Sequence, residues 1–134
     1  MNGYKLVRVV DNRYLSVYSV MAVSYQIGHK TVRPADCGPL ALFDTVASAK
    51  NFIRICRANY IYTLLELLYA EYTPSKDRSL WYPNDHLLND EIKSKNISTK
   101  TTFDDVPDGT IFADDITPLQ VVPLQFDITE TTYQ

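Results

Sequence analysis

Histidine, cysteine and glycine are scarce in this chain, and each shortage removes a class of chemistry. His29, His86, Cys37 and Cys56 are the only soft metal ligands in 134 residues, and none stands in C-x-x-C or H-x-x-x-H spacing. A structural zinc site needs four such ligands brought close, so no metal and no cofactor is expected. "DDVPDG" at 104–109 lacks the alternating oxygen ligands and terminal Glu of a calcium loop. The four glycines are isolated. Neither a G-x-x-x-x-G-K loop nor a G-x-G-x-x-G turn is present to cradle phosphates, and no G-x-S-x-G elbow is present to carry a serine nucleophile. No apolar run reaches the roughly 18 residues of a membrane-crossing helix. "MNGYKLVRVV" lacks the basic segment and long apolar run of a secretion signal. Two cysteines in such a chain are expected to be reduced thiols, with Cys37 in the "PADCGP" loop alkylating faster than Cys56.

Basic residues also run out early. Residues 1–100 carry 13 basic and 9 acidic side chains, whereas 101–134 carry seven acids and no Lys or Arg. The simplest arrangement lays the acidic end against the basic residues of the same domain; an acidic docking tail is the alternative. The length fits one domain able to bury a core without staples. Ten tyrosines are many for that length, and their rings and polar tips suit sheet surfaces and interfaces.

"YKLVRVVD" and "YLSVYSV" alternate in the strand period around "DNR" and predict an opening β-hairpin. "AVSYQI", "KTVRP" and "LALF" follow as short strands. Asp44 is the expected cap of a helix over about 45–57, with Val46, Ala49, Phe52, Ile53 and Cys56 on its apolar face. "YIYTLLELLYAEY" satisfies helical and strand periods alike. Residues 73–104 are irregular, with Asp85 placed to cap a short helix through Ile92. "TIFA" and "ITPLQVV" predict two short strands, with Asp114 and Asp115 in the connection and Gly109 in a tight turn. Pro118 marks an edge or a strand start. The expected fold class is α+β: a mixed, largely antiparallel sheet with one main helix packed on one face. The domain spans 1–124 with an irregular insertion at about 73–104, and 125–134 is a polar tail.

The order "YKLVRVVDNRYLSVYS", "YQIGHKTVRP", "GPLALFDTVASAKNF" and "PDGTIFADDITPLQVV" resembles a small, largely uncharacterised domain found in proteins of phages and large DNA viruses. The likeness covers about residues 3–57 and 105–122. It implies that 60–72 is a strand. It also implies a viral accessory or virion-associated protein, located in the host cytoplasm or the virion.

Three further chemistries compete with plainer structural roles. A Cys37–His29 pair would need an activated thiolate, and nothing in the loop supplies one. Arg8 and "STKT" at 98–101 are faintly similar to ADP-ribosyltransferases of the arginine–serine–glutamate type, but the catalytic Glu is missing and only Glu130 stands near the tail. Lys5, Arg8, Arg13, Lys30 and Arg33 are interleaved with Tyr4, Tyr14, Tyr18 and Tyr25, as a single-strand or RNA surface requires. A pI of about 5.2 argues against that surface, so no nucleic acid and no membrane is expected as a partner. No complete catalytic set is present. The expectation is a non-enzymatic protein acting through a protein partner or self-association. The alternative is a binder of a nucleotide-derived small molecule, possessing a catalytically incomplete transferase-like scaffold and serving counter-defence. Its candidate contacts are Arg8, Tyr14, Tyr25, His29 and Arg33. A deep pocket near these residues favours the alternative; flat apolar patches favour protein docking.

Overall fold

Asp11 and Asn12 take left-handed angles, with φ of 50° and 63°. Such angles twist a two-residue turn to match its flanking strands, so β1 (Asn2–Val10) folds back on β2 (Arg13–Ser16) as the sequence predicts. The computed structural model describes residues 1–17, 23–35, 37–56, 63–83, 100–103 and 105–124. Beyond the hairpin lie β3 (Ser24–Tyr25), β4 (Thr31–Val32), β5 (Leu40–Phe43), α1 (Val46–Ile55), β6 (Leu65–Pro74), β7 (Leu80–Pro83), β8 (Lys100–Phe103) and β9 (Thr110–Val122).

The expected α+β sheet with a helix on one face is not what forms. Every strand pairing among the described residues is antiparallel, and four strands close on themselves: β1 pairs with β5 and β6, and β9 pairs with the same two. The fold is a mostly-β, closed four-stranded barrel with extra strands. The sequence reading failed here because alternation looks the same in an open and a closed sheet.

The barrel widens along its length. β6 holds one edge of β1, while β5 and then β2 take successive stretches of the other. β9 mirrors this, with β6 on one edge and β5 followed by β4 on the other. Tyr4–Phe43 is the only paired position between β1 and β5, and β2 takes over from Val7. Lys5 and Leu6 therefore lie at a fork where β1 has left one neighbour and not yet met the next. A separate hairpin pairs β7 with β8.

Two cores result. Val7, Tyr25, Leu40, Leu42, Leu68, Ala70, Tyr72, Ala113 and Ile116 fill the barrel. Leu6, Phe43, Ala49, Phe52 and Leu67 form the second core between barrel and helix. Adjacent residues such as Leu6 and Val7, or Leu67 and Leu68, serve opposite cores because side chains alternate along a strand. This explains the doubly apolar pattern of "LLELLYA". The resemblance placed a strand at 60–72; the described strand is Leu65–Pro74, and 57–62 lie outside the described residues.

The helix presents the predicted face, with Ala49 and Phe52 buried. Its cap is Thr45, not Asp44: the Ser48 amide donates to Thr45 Oγ1 at 3.0 Å. Asp44 instead accepts from the Ser48 hydroxyl at 2.8 Å, and its own amide donates to the Gly109 carbonyl. Gly109 has φ of 82°, and a Cβ there would lie 2.3 Å from Ser48 Oγ. Conformation and space both require glycine in this turn, as the sequence predicts for conformation alone.

Asp114 and Asp115 are not a break. β9 runs unbroken through them, so the two predicted strands are one of 13 residues. Asp114 accepts from Arg33 at 3.4 Å, and Arg33 also meets Asp77 at 2.6 Å. Pro118 is buried within the same strand and not at an end. The ladder slips there, Ala70 pairing with Pro118 and Tyr69 with Gln120, so Leu119 is the extra residue of a bulge. The predicted helix from Asp85 to Ile92, the "STKT" threonine at 99 and the tail 125–134 lie outside the described residues.

The thiols are not joined to each other, but their predicted order of reactivity reverses. Cys37 is buried, whereas Cys56 at the end of α1 is half-buried. Iodoacetamide is expected to modify Cys56 first in the native protein, with Cys37 reacting at the rate of opening. Peptide mapping of a labelling time course reads the order directly; Cys37 reacting first would contradict the burial.

Candidate functional site

Lys5 alternates in register with Gly3 and Val7, so its side chain enters the barrel side of β1. It is 8% exposed. Its Nζ donates to the Ala41 carbonyl of β5 at 2.6 Å, spanning the fork where ladder pairing has stopped. It also stands 5.2 Å from the centre of the Tyr25 ring. One hydrogen bond and one ring face leave an ammonium with three donors only partly satisfied. Burial holds the Lys5 pKa down to about 8, from the ordinary 10.5.

Tyr25 reaches the same place from β3, where it pairs with Tyr14. Its hydroxyl is buried without a well-formed hydrogen bond, the Ser16 hydroxyl being its polar neighbour. Burial pushes the phenol up, the nearby Ser16 hydroxyl opposing this only in part. Across the ladder, the Tyr14 phenol is raised by burial first, then by the hydrogen bond and charge of Glu66.

Lys5, Ser16 and Tyr25 border a cavity of about 340 Å³. Its walls come from both cores: Tyr25, Leu40 and Leu42 from the barrel, and Leu6, Phe43 and Phe52 from the helix side. The Pro34–Pro39 loop, Trp81 of β7 and the Asp105–Pro107 approach to β9 complete them. The fork in β1 explains why the cavity exists, since a continuous β1–β5 ladder would close it. Gly38 gives the loop its close approach, donating its amide to the Trp81 carbonyl at 3.0 Å; a Cβ there would lie 2.4 Å from that oxygen. The volume is in the range of small-molecule sites, and an apolar wall with a few polar groups is their usual make-up.

Of the sequence candidates, only Tyr25 lines this cavity. Arg8 Nε is tied to the Ser16 carbonyl at 3.0 Å. Tyr14 is half-buried beside Tyr25, and His29 is exposed in the turn after β3. Arg33 is held by its two aspartates. The five do not form one site. The basic stretch is likewise dispersed, with Lys5 inside the fold and only Arg13 and Lys30 among its five cations fully exposed. Lys5 was grouped with the surface cations, although its shared parity with Val7 was the signal that it points inward.

Above about pH 8 the folded chain releases the Lys5 proton, while the unfolded chain holds it up to about 10.5. The unfolded state then binds more protons, so stability rises with pH across that window. The raised Tyr25 phenol acts oppositely above pH 10, where unfolded tyrosine ionises first. Urea midpoints are therefore expected to climb between pH 7.5 and 9.5 in the native sequence and to stay level in Lys5→Met. A fall over that interval would contradict a buried, easily deprotonated Lys5.

Comparison with protein-family models, curated proteins and solved structures gives no match.

Proposed function

We propose that this protein binds a small, predominantly apolar molecule bearing one electron-rich oxygen. The observation that carries the reading is one apolar cavity lined by buried Lys5, whose Nζ has a single hydrogen bond and three donors, and by the ring of buried Tyr25. Leaving a buried donor unmade costs about 1–3 kcal/mol; a ligand oxygen placed there recovers that loss. The apolar wall supplies the remaining affinity by burying hydrocarbon. Among the described residues the wall offers no second cation for a polyphosphate, which favours a ligand less polar than the nucleotide derivative considered from sequence.

Docking on another protein is the weaker reading. The exposed large apolar side chains among the described residues are Met1, Ile27, Val32, Ile55, Leu64, Leu119 and Val121. They are spread over the N-terminus, a turn, β4, α1, the approach to β6, and β9.

Trp81 is the sole tryptophan and lies in the cavity wall, so its emission reports occupancy. Titration with octanoate is expected to shift that emission saturably, with 1-octanol competing. Lys5→Met should weaken octanoate about tenfold or more, the worth of a hydrogen bond to a charged group. A linear, unsaturable response, or equal affinity in a folded Lys5→Met variant, would count against the reading.

A further inference from the structure

We infer that Lys5 is a covalent capture site for small apolar aldehydes, which it binds as a reversible imine. The inference rests on the cavity being a ligand site and adds the chemistry of the bound group. Three observations support it. The amine is a primary nucleophile on a buried residue that lines the cavity. Its hydrogen bond to the Ala41 carbonyl holds Nζ at the fork between the two cores. The surroundings are apolar, which favours the neutral amine that attacks carbonyl carbon. A lysine held near 8 is about one-tenth neutral at pH 7, far more than an ordinary surface lysine.

The step balances without an oxidant or reductant. The Nζ lone pair adds to the carbonyl carbon, a C–N bond forms, and the carbonyl π pair moves to oxygen. Proton transfer from nitrogen to oxygen gives a neutral carbinolamine. Its hydroxyl takes a proton and leaves as water as the nitrogen lone pair forms C=N; the resulting iminium returns its N–H proton to the acid that supplied the first, and the neutral imine remains. Tyr25 lines the same cavity and burial holds its phenol protonated, so it is the acid that gives and regains this proton. Among the described residues the other titratable side chains on the wall are Cys37 and Asp105, and Asp105 is exposed. A dry cavity favours the imine, because the water released is not held beside it.

The test is reductive trapping of the full chain with octanal and cyanoborohydride, followed by peptide mapping. Lys5 is expected to gain one octyl group at least about tenfold faster than exposed Lys30 or Lys76, reflecting the neutral fraction at Lys5. The Lys5 rate should climb as pH is raised from 6 to 8, and 1-octanol should protect Lys5 alone. The unmodified chain supplies all three readouts, so the result does not depend on a folded Lys5 variant. If octanal competes with octanoate at Trp81 but Lys5 gains no octyl group, or gains it no faster than surface lysines, covalent capture is overturned and ligand binding stands. If octanal, octanol and octanoate all leave Trp81 emission unchanged and Lys5 unmodified, both fall.

Discussion

Replacing Phe52 with alanine is expected to lower the free energy of unfolding by about 3–5 kcal/mol, the usual cost of deleting a buried aromatic side chain. Phe52 is 5% exposed and meets the Phe43 ring at 5.6 Å between centroids. It joins α1 to the barrel, and few other contacts do so: Ala49 is the only other helix residue fully buried. The cavity borders Phe52, so the space left by alanine merges with an existing void and is not readily filled by collapse. Urea unfolding followed by far-UV dichroism measures the effect. An unchanged midpoint would mean that the helix does not hold the barrel through this ring.

Leu67→Ala and Leu68→Ala form the second test, and both should cost about 2–5 kcal/mol. The pair is informative because the residues are adjacent and point to opposite sides of β6, yet each is 0% exposed. Leu68 lies in the barrel core and Leu67 in the helix core. On a sheet with one solvated face, one of the two substitutions would be nearly silent. Matched losses in denaturant unfolding therefore diagnose a strand covered on both sides. A loss below about 0.5 kcal/mol at either position, the range of ordinary surface changes, would show one face of β6 to be open.

Sequence patterns here were informative where a short stretch determines its own conformation. Asp11–Asn12 tolerates left-handed backbone, and the turn formed there. Ala49 and Phe52 recur at helical spacing, and both are buried. Closure was not legible, because it depends on β1 and β9 each dividing one edge between two partners. No local window contains those pairings. A break at Asp114 was misread because aspartate is sparse in strands, whereas the expected pairing of the acidic end with basic residues of the same domain is met there by Arg33, across the β4–β9 contact. The site was missed for the same reason as closure. Lys5 becomes a cavity group only where β1 passes from β5 to β2, and a basic residue in a tyrosine-rich hairpin otherwise looks solvated.

The dependence of the ring on β9 also bears on synthesis. β1, β5 and β6 emerge from the ribosome in that order, and β6 then has its partner β1 already made, but the edge of β6 that β9 will occupy stays unpaired until residues 110–122 have followed. An unpaired strand edge is a template for other chains. The nascent chain therefore carries its greatest risk of sticking to its neighbours just before completion of the ring, and substitutions that slow the docking of β9 should reduce yield in the cell more than they reduce the stability of the finished fold.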